Sequence, residues 1–262
     1  FGLRFEMLSI KSQPLQLPSM SRQKRTFDNG VCISIDSKLI SSDTGGDVWL
    51  GAMCLQRFLE ANQEMVAGMR VLELGSGTGF LSMSTHLLGA SLSVSTDVEA
   101  MVPLIHRNFA ENSSLMRKHR IDFVGAGDAG ERPGELTCCV CDWFDVGRSR
   151  QLPAAVAAHL VNGPFDLILA SDVFYESGET VLAFLTVLMH VRAPRVLICQ
   201  SFRDAPSVEA EFFAAAKDKG FTVRMISHDE CSPDRKALHR MSVDIWQLEP
   251  PPVNSTVPMT HL

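Results

Sequence analysis

The chain has 262 residues, of which 45% are hydrophobic and 21% are charged, and its formal net charge is -6. This composition is typical of a globular protein and excludes collagen-like and intrinsically disordered chains. The negative charge also argues against a general nucleic-acid binder, which needs a cationic surface to contact phosphates.

Two further features of the composition concern the compartment. No apolar run reaches the roughly 18–20 residues that a membrane-spanning helix requires. The seven cysteines are an odd number scattered through predicted core elements, which is typical of reduced thiols in an intracellular protein. We therefore expect a cytoplasmic protein, with a nuclear location left open, and no membrane partner.

Residues 1–44 are predicted to form an arm followed by a β-hairpin. Asn29-Gly30 is a strong hairpin turn signal because both residue types tolerate positive φ. Val31, Ile33 and Ile35 then alternate with less apolar residues, which predicts a strand after the turn.

From residue 45 onward, predicted helices and strands alternate. A helix is expected from Asp47, a candidate N-cap, to about Ala61. Seven strands are predicted, over residues 70–74, 91–96, 135–140, 165–170, 195–201, 221–227 and 241–248. Helices separate most of them, which favours an α/β fold with a doubly wound, mainly parallel seven-stranded sheet and an antiparallel edge formed by the last strands.

The composition also suggests how the domain is divided. We predict one α/β domain over residues 45–248, interrupted by a flexible insertion at 113–134 where glycines cluster. Residues 249–262 include Pro250-Pro251-Pro252 and are predicted to be a tail without regular structure.

A glycine loop follows the first strand of this domain. Glu73-Leu-Gly-Ser-Gly-Thr-Gly79 lies between a strand and a helix, where a doubly wound sheet binds its ligand. Asp97 ends the next strand, about twenty residues further on, where a carboxylate can accept hydrogen bonds from both hydroxyls of a ribose.

The glycine spacing distinguishes two classes of cofactor. The dinucleotide fingerprint G-x-G-x-x-G needs a third glycine where this chain has Phe80. Glu73 precedes the loop, and a carboxylate there would repel a pyrophosphate but attract a cationic amino-acid group. S-adenosylmethionine has an ammonium, a sulfonium and a ribose, and no phosphate.

With these motifs, residues 45–248 resemble the seven-β-strand S-adenosylmethionine-dependent methyltransferases, which have a Rossmann-like methyltransferase fold. In that family the segment matching Cys141-Asp142-Trp143 covers the adenine. The resemblance implies S-adenosylmethionine as cofactor and a set of residues that bind it: Trp49, Glu73, Gly75, Ser76, Gly77, Gly79, Asp97, Asp142, Trp143 and Ser171.

A narrower resemblance concerns three other motifs. Asp172-Val-Phe-Tyr175 is similar to the D-x-x-Y motif of the protein-lysine methyltransferase branch, whose members modify non-histone proteins such as chaperones and elongation factors. Val48-Trp49, followed by Ala52, matches the V-W-x-x-A segment of that branch, and Asn108 lies where the branch often has asparagine. The resemblance implies Asp172 and Tyr175 as catalytic residues that orient a lysine ammonium.

The implied partner is a protein that presents a lysine, and we expect the enzyme to act as a monomer. Amino-methyltransferases that act on nucleic acids usually have an N/D-P-P-Y type segment at this strand end, and Val173 and Phe174 replace its two prolines. This replacement disfavours a nucleic-acid substrate.

Two alternative functions stay open on the sequence. The protein could be a methyltransferase for a small-molecule amine, or a cofactor-binding scaffold that has lost catalysis and acts through protein association. Cys138 and Cys141 form a C-x-x-C, but no second ligand pair accompanies it, so we expect core thiols and no metal site.

Overall fold

The computed structural model describes residues 20–38, 46–124, 134–174, 178–201, 206–227 and 243–252. The strands are β1 Met20–Thr26, β2 Cys32–Lys38, β3 Arg70–Leu74, β4 Leu92–Asp97, β5 Glu135–Val140, β6 Leu167–Ser171, β7 Arg195–Ser201, β8 Thr222–Ile226 and β9 Val243–Glu249. The α-helices are α1 Leu50–Ala61, α2 Phe80–Leu87, α3 Val102–Glu111, α4 Ser113–Val124, α5 Trp143–Ser149, α6 Ala154–Val161, α7 Gly178–Val191 and α8 Pro206–Asp218.

Strands β3 to β9 form one sheet in the order β5-β4-β3-β6-β7-β9-β8. Five strands from β5 to β7 are parallel, whereas β9 runs antiparallel to both β7 and β8. The chain moves outward from β3 to β5 and then returns to β6 beside β3. The sheet therefore has its topological switch point between β3 and β6, which confirms the doubly wound fold and its antiparallel edge.

Both faces of this sheet are buried. Leu197 packs in a core together with the hairpin, α1 and α2, whereas its neighbour Ile198 packs in a second core that includes α7 and α8. Consecutive strand residues point to opposite faces, so a strand covered on both faces is apolar along its whole length. This arrangement explains the uninterrupted apolar runs in the sequence.

The N-terminal hairpin forms as predicted. Strands β1 and β2 pair in register from Thr26 opposite Cys32, and Gly30 has a φ of +84° in the turn. Ile33 and Ile35 are fully buried and belong to the same core as α1. The hairpin is thus packed onto the main domain by its apolar face.

Two asparagines on α3 also attach the hairpin to the domain. The Asn112 side-chain amide accepts from the Ser34 N–H at 2.9 Å and donates to the Ser34 carbonyl at 2.7 Å. One turn earlier, Asn108 makes the same pair of bonds with Asp36, at 2.8 and 3.1 Å. Because residues i and i+4 lie on one helix face, the two amides pair with alternate residues of β2 as a neighbouring strand would.

The structure differs from the prediction in three elements. Ser113–Val124 is a helix, α4, with Met116 buried in the core beside α2, so the first half of the predicted flexible insertion is ordered. The clustered glycines begin only after this helix. A short helix, α5, was not predicted; it starts at Trp143 because the Asp142 side chain accepts from the Phe144 N–H.

The third difference is the start of α1. The helix begins at Leu50, and Asp47 does not cap it. The Asp47 side chain instead accepts hydrogen bonds from Gln23 and Ser37 of the hairpin, at 2.6 and 3.2 Å. The carboxylate at the start of α1 is that of Asp172, which accepts a hydrogen bond from the Gly51 N–H.

Several predicted features lie outside the described residues. They are the N-terminal arm before residue 20, residues 125–133 of the predicted insertion, Tyr175, and residues 253–262 of the tail. Among the helices in the described ranges, none has the length and apolar content needed to cross a membrane.

Candidate functional site

A cavity opens at the carboxyl ends of the parallel strands, beside the switch point between β3 and β6. It collects side chains from the glycine loop, from the ends of β4, β5 and β6, and from the segment before α1. The lining residues are Asp47, Val48, Trp49, Ala52, Glu73, Gly75, Ser76, Gly77, Thr78, Phe80, Leu81, Asp97, Val98, Met101, Cys141, Asp142, Trp143, Phe144, Ser171, Asp172, Val173 and Thr180.

The glycine loop needs its glycines for two different reasons. Gly75 has a φ of +69°, and an added Cβ would lie 3.0 Å from the Trp143 ring at the cavity wall. Gly79 also has a positive φ, but its Cβ would meet Phe109 and Ile105 of α3 at 2.9 and 3.0 Å. Gly75 therefore lets the backbone approach the cavity wall, whereas Gly79 lets α2 pack close to α3.

Glu73 is a buried carboxyl group in the wall of the cavity. Only 2% of the residue is exposed, and the Ser82 hydroxyl donates to its Oε2. Burial raises the pKa of Glu73 to about 8, and the nearby Asp97 adds to the effect, while the hydrogen bonds from Ser82 oppose it. An ammonium bound in the cavity would favour the ionised form of this group.

Asp97 ends β4 and faces the same cavity. Its Oδ2 accepts from the Gly77 N–H at 2.7 Å and its Oδ1 from the Val98 N–H at 2.8 Å. Burial raises the pKa of Asp97, and these two backbone hydrogen bonds oppose that shift. Each oxygen keeps a lone pair, so the carboxylate can accept from two neighbouring hydroxyl groups.

One part of the cavity wall, formed by residues that follow β4 and β5, is aromatic and apolar. Trp143 lies edge-to-face against Phe184, with ring centroids 5.0 Å apart. Its indole Nε1 is buried and has no hydrogen-bond partner within the described part of the chain. Val98, Met101 and Phe144 complete an apolar surface that suits a flat heteroaromatic ring.

Asp172 also lines the cavity and directly follows β6, which lies on the other side of β3 from β4 and Asp97. It is 5% exposed and has a φ of +53°, a conformation that is uncommon for any residue other than glycine. Its Oδ2 accepts from the Gly51 N–H of α1 at 2.7 Å, and its Oδ1 accepts from both the N–H and the hydroxyl of Ser201. An ionised carboxylate offers about four acceptor positions, and donors from the described part of the chain fill three of them. One position is therefore left for a further donor.

The structure brings together almost all of the predicted site residues that it describes. Gly79 is the exception, because it contacts α3 and does not line the cavity. Tyr175, predicted to act with Asp172, lies outside the described residues. The catalytic role of Asp172 stays a prediction.

The sequence analysis did not predict which residues hold Asp172 and Phe174 in place. Besides Gly51 and Ser201, they include Gln200, whose side-chain oxygen accepts from the Phe174 N–H at 3.3 Å. The available signal was that Gln200 and Ser201 are polar residues at the end of an apolar strand, the edge where a doubly wound sheet binds its ligand. Nothing in the sequence connects them to residues 172–174.

The donor set of this cavity fits S-adenosylmethionine. The buried Glu73 suits a cationic amino-acid group, the two oxygens of Asp97 suit ribose hydroxyls, and the wall around Trp143 suits adenine. Within the described ranges, no three acidic, histidine or cysteine side chains are close enough together to hold a metal ion.

Comparison with known proteins finds a family and several relatives to which this chain is similar. A family model described as lysine methyltransferase matches residues 29–123, which include the hairpin turn, the glycine loop and Asp97. The chain is 29% identical to protein N-lysine methyltransferase METTL21A of Danio rerio over 182 residues, which are 70% of this chain and 71% of that protein. It is 26% identical to protein-lysine N-methyltransferase rrg1 of Schizosaccharomyces pombe, covering 68% of this chain and 54% of that protein.

A third relative is the electron transfer flavoprotein beta subunit lysine methyltransferase of Xenopus laevis. It is 30% identical over 110 residues, which are 37% of this chain and 44% of that protein. The chain thus spans about half the length of several of the relatives that it matches.

Solved structures support the fold. The T. thermophilus 16S rRNA N2 G1207 methyltransferase, solved in complex with AdoMet and guanosine, superposes with a TM-score of 0.51 at 17% identity, over 89% of this chain and 52% of that chain. A SAM-dependent methyltransferase of Streptococcus mutans gives the same TM-score at 14% identity, over 87% and 55%. The chain is thus similar to lysine methyltransferases over residues 29–123, and it has the seven-strand fold of S-adenosylmethionine-dependent methyltransferases.

Proposed function

We propose that this protein transfers a methyl group from S-adenosylmethionine to the ε-amine of a lysine in a protein other than a histone. The observation that carries the proposal is the placement of three acids around one cavity, of which Glu73 and Asp172 are buried and Asp97 is half-buried. We assign Glu73 of β3 and Asp97 of β4 to a cofactor side of the cavity, and Asp172 after β6 to an acceptor side. An acidic cavity of this kind suits a cationic methyl donor and a cationic acceptor.

S-adenosylmethionine supplies a methyl group that its sulfonium already activates for in-line displacement. The residues of this chain then have to bind, orient and exclude water. Glu73 would hold the ammonium of the donor, Asp97 its ribose hydroxyls, and the wall around Trp143 its adenine. Positioning of this kind accounts for a large part of the rate enhancement when two reactants must meet in a fixed geometry.

On the acceptor side, the difficulty is the charge of lysine. With a reference pKa of about 10.4, a lysine is neutral at pH 7 only at a cost of roughly 4–5 kcal/mol. Asp172 retains one acceptor position, which can take a hydrogen bond from the incoming ammonium and orient it. We assign no general base in this chain, and the proton leaves to water.

The relatives support a protein substrate of non-histone type. The relative from Xenopus laevis is named for a lysine in the beta subunit of electron transfer flavoprotein, which is not a histone. We propose the same type of substrate for this chain. The labelling experiment identifies the substrate protein.

We further propose that the enzyme is a cytoplasmic monomer that does not act on nucleic acid. The net charge of -6 favours a cationic protein segment over a polyanion as partner. Six cysteines are free in the described ranges, and free thiols are typical of a reducing compartment. Size-exclusion chromatography with light scattering tests the monomer, and fractionation of cells tests the compartment.

The experiment is to incubate the protein with a tritiated methyl donor and a methylation-deficient lysate, and to identify the labelled band by mass spectrometry. The expected result is a methylated lysine in one or a few proteins, with little or no label when Asp172→Ala replaces the wild-type protein. Label confined to small molecules would replace the proposal with an amine methyltransferase. If calorimetry detected no binding of S-adenosylmethionine, both enzymatic functions would be excluded.

A further inference from the structure

Three elements that are distant in sequence meet at the carboxylate of Asp172. Asp172 directly follows β6, and its Oδ2 accepts from Gly51, the second residue of α1, which is 121 positions away. Its Oδ1 accepts from Ser201, the last residue of β7, through the backbone N–H at 2.8 Å and through the hydroxyl. Because both oxygens are held from outside, the carboxylate cannot rotate without breaking a hydrogen bond to α1 or β7.

The contact with α1 depends on the absence of a side chain at Gly51. A Cβ added there would lie 2.6 Å from Asp172 Oδ2 and 2.8 Å from the Cys199 carbonyl oxygen of β7. Glycine is unfavourable inside a helix compared with alanine, so its presence in the first turn of α1 has a local reason. The reason is the direct approach of the helix to the ends of β6 and β7.

Strand β7 also holds the backbone that follows Asp172. The Gln200 side-chain oxygen accepts from the Phe174 N–H, and its Nε2 donates to the Ser201 carbonyl, both at 3.3 Å. Gln200 is 4% exposed, so water does not compete strongly for these bonds. Residues Asp172 to Phe174 are therefore held at both side chain and backbone, which explains how the positive φ of Asp172 is maintained.

We infer that Ser201 is a positioning residue for methyl transfer, an inference that rests on the proposed function. Its hydroxyl and N–H fix the Asp172 carboxylate so that the acceptor position left on it stays directed into the cavity. Ser201 does not line the cavity and is 9% exposed, so it acts through Asp172 and needs no contact with the substrate. Gly51 holds the other oxygen in the same way.

The test compares kcat, cofactor affinity and stability in matched variants. Ser201→Ala removes one of the three donors to Asp172, and we expect kcat to fall about tenfold, since a hydrogen bond to a charged group is among the stronger ones. The Kd of S-adenosylmethionine should stay within about twofold, because the residues on the cofactor side are unchanged. Ser201→Thr keeps the hydroxyl and should bring kcat back to within about threefold of wild type.

The control is Ser84→Ala. Ser84 is a buried serine like Ser201, but its hydroxyl donates to the Phe80 carbonyl within α2, outside the cavity lining. It should lose a similar amount of stability and keep its kcat. A fall of kcat in both alanine variants, or no recovery in Ser201→Thr, would mean that Ser201 is merely structural.

A second measurement does not depend on activity. Hydrogen exchange of the Gly51 amide, followed by NMR, should become about tenfold faster in Ser201→Ala and stay unchanged in Ser84→Ala, because a carboxylate freed on one oxygen holds the other donor less well. Unchanged exchange would overturn the inference, and so would full activity of Ser201→Ala. If the wild-type protein methylated no protein lysine, the proposed function would fail, and the exchange data would still decide whether Ser201 fixes Asp172.

If Ser201→Ala did not fold, Gly51→Ala would test the same carboxylate from its other side. The added methyl group is too close to Asp172 Oδ2 to be accommodated without a shift. The same tenfold loss of kcat with unchanged cofactor Kd is expected, and wild-type kcat in this variant would contradict the inference.

Discussion

Glu73 and Asp172 are two carboxyl groups in the wall of one cavity, and they are buried to nearly the same degree, at 2% and 5% exposure. Their surroundings differ. Among the residues that the structure describes, Ser82 is the one hydrogen-bond donor to Glu73, and burial raises the pKa of Glu73 to about 8. Asp172 accepts from donors on two other elements, including a backbone N–H at the N-terminus of α1, where the helix dipole favours a negative charge.

The comparison teaches that burial alone does not decide what a carboxyl group can do. Glu73 can gain or lose a proton near neutral pH and so respond to the charge of a ligand. Asp172 connects β6, β7 and α1, and its orientation is fixed before any ligand arrives. The following four predictions test this division between a cofactor side and an acceptor side.

The largest effect is expected for Asp172→Ala. The N–H groups of Gly51 and Ser201 would lose their buried acceptor, which costs about 2–4 kcal/mol of unfolding free energy in total. Methyl transfer should fall at least about 100-fold, while cofactor Kd changes by less than about threefold. Single-turnover kinetics on a verified substrate, calorimetry and denaturant unfolding measure the three quantities.

Asp166→Ala is the matched control for this variant. Asp166 precedes β6 at its other end, and its side chain also accepts a backbone N–H, from Arg70 at 2.8 Å. It should lose stability and keep its transfer rate when folded. Equal losses of transfer in both variants would show that Asp172 acts only through stability.

Asp97→Ala should give the second largest effect, and this effect should be on cofactor binding. Loss of two charge-assisted hydrogen bonds to ribose hydroxyls predicts about 30- to 100-fold weaker cofactor binding. At saturating cofactor, transfer should recover to within about fivefold of wild type, in contrast to Asp172→Ala. Calorimetry and a titration of the rate against cofactor concentration test this prediction. If Asp97→Ala bound the cofactor normally but could not transfer the methyl group, Asp97 would not belong to the cofactor side.

The two sides also differ in how far the sequence alone could predict them. The cofactor side is built from short segments at strand ends, so the glycine loop, Glu73 and Asp97 could be recognised by their spacing. The alternation of apolar strands and helices likewise predicted the sheet, because each strand is buried on both faces.

The acceptor side depends on contacts between distant residues. Gly51, Asp172 and Ser201 meet only because β6 and β7 lie beside each other under α1, and none of the three carries a local signal for the other two. The same limit explains the error at Asp47, which has the right type and position for a cap. It accepts from the hairpin instead, while Asp172 accepts from α1.

The third prediction concerns the proton on Glu73. With a pKa of about 8 in the folded protein, Glu73 is mostly protonated below that pH, and the ammonium of the cofactor favours the ionised form. Cofactor affinity should therefore rise nearly tenfold between pH 6 and pH 7, with release of about one proton on binding. Calorimetry in two buffers of different ionisation enthalpy measures both quantities.

Without cofactor, the titration of Glu73 predicts the opposite pH trend for the stability of the folded protein. The folded state holds the proton up to about pH 8, whereas the unfolded chain loses it near its ordinary pKa of 4.5, so the contribution of Glu73 to stability falls as pH rises between these values. Glu73→Gln should remove this trend and the proton release together. If Glu73→Gln still released a proton on cofactor binding, that proton would come from another group.

The smallest effect is expected for Gly75→Ala, with Gly68→Ala as its control. Both glycines have a positive φ, +69° and +74°, so alanine costs about 1–2 kcal/mol of backbone strain at either position. Only at Gly75 would the Cβ also be crowded, at 3.0 Å from Trp143, whereas nothing lies within 4 Å at Gly68. Since the Trp143 ring must shift to make room, cofactor affinity should fall about fivefold in Gly75→Ala, which is about 1 kcal/mol, and stay unchanged in Gly68→Ala. Transfer at saturating cofactor should be retained in both, because neither residue contacts Asp172. Equal affinities in the two variants would mean that Trp143 is not part of the cofactor side, and adenine would then have to bind elsewhere along the cavity.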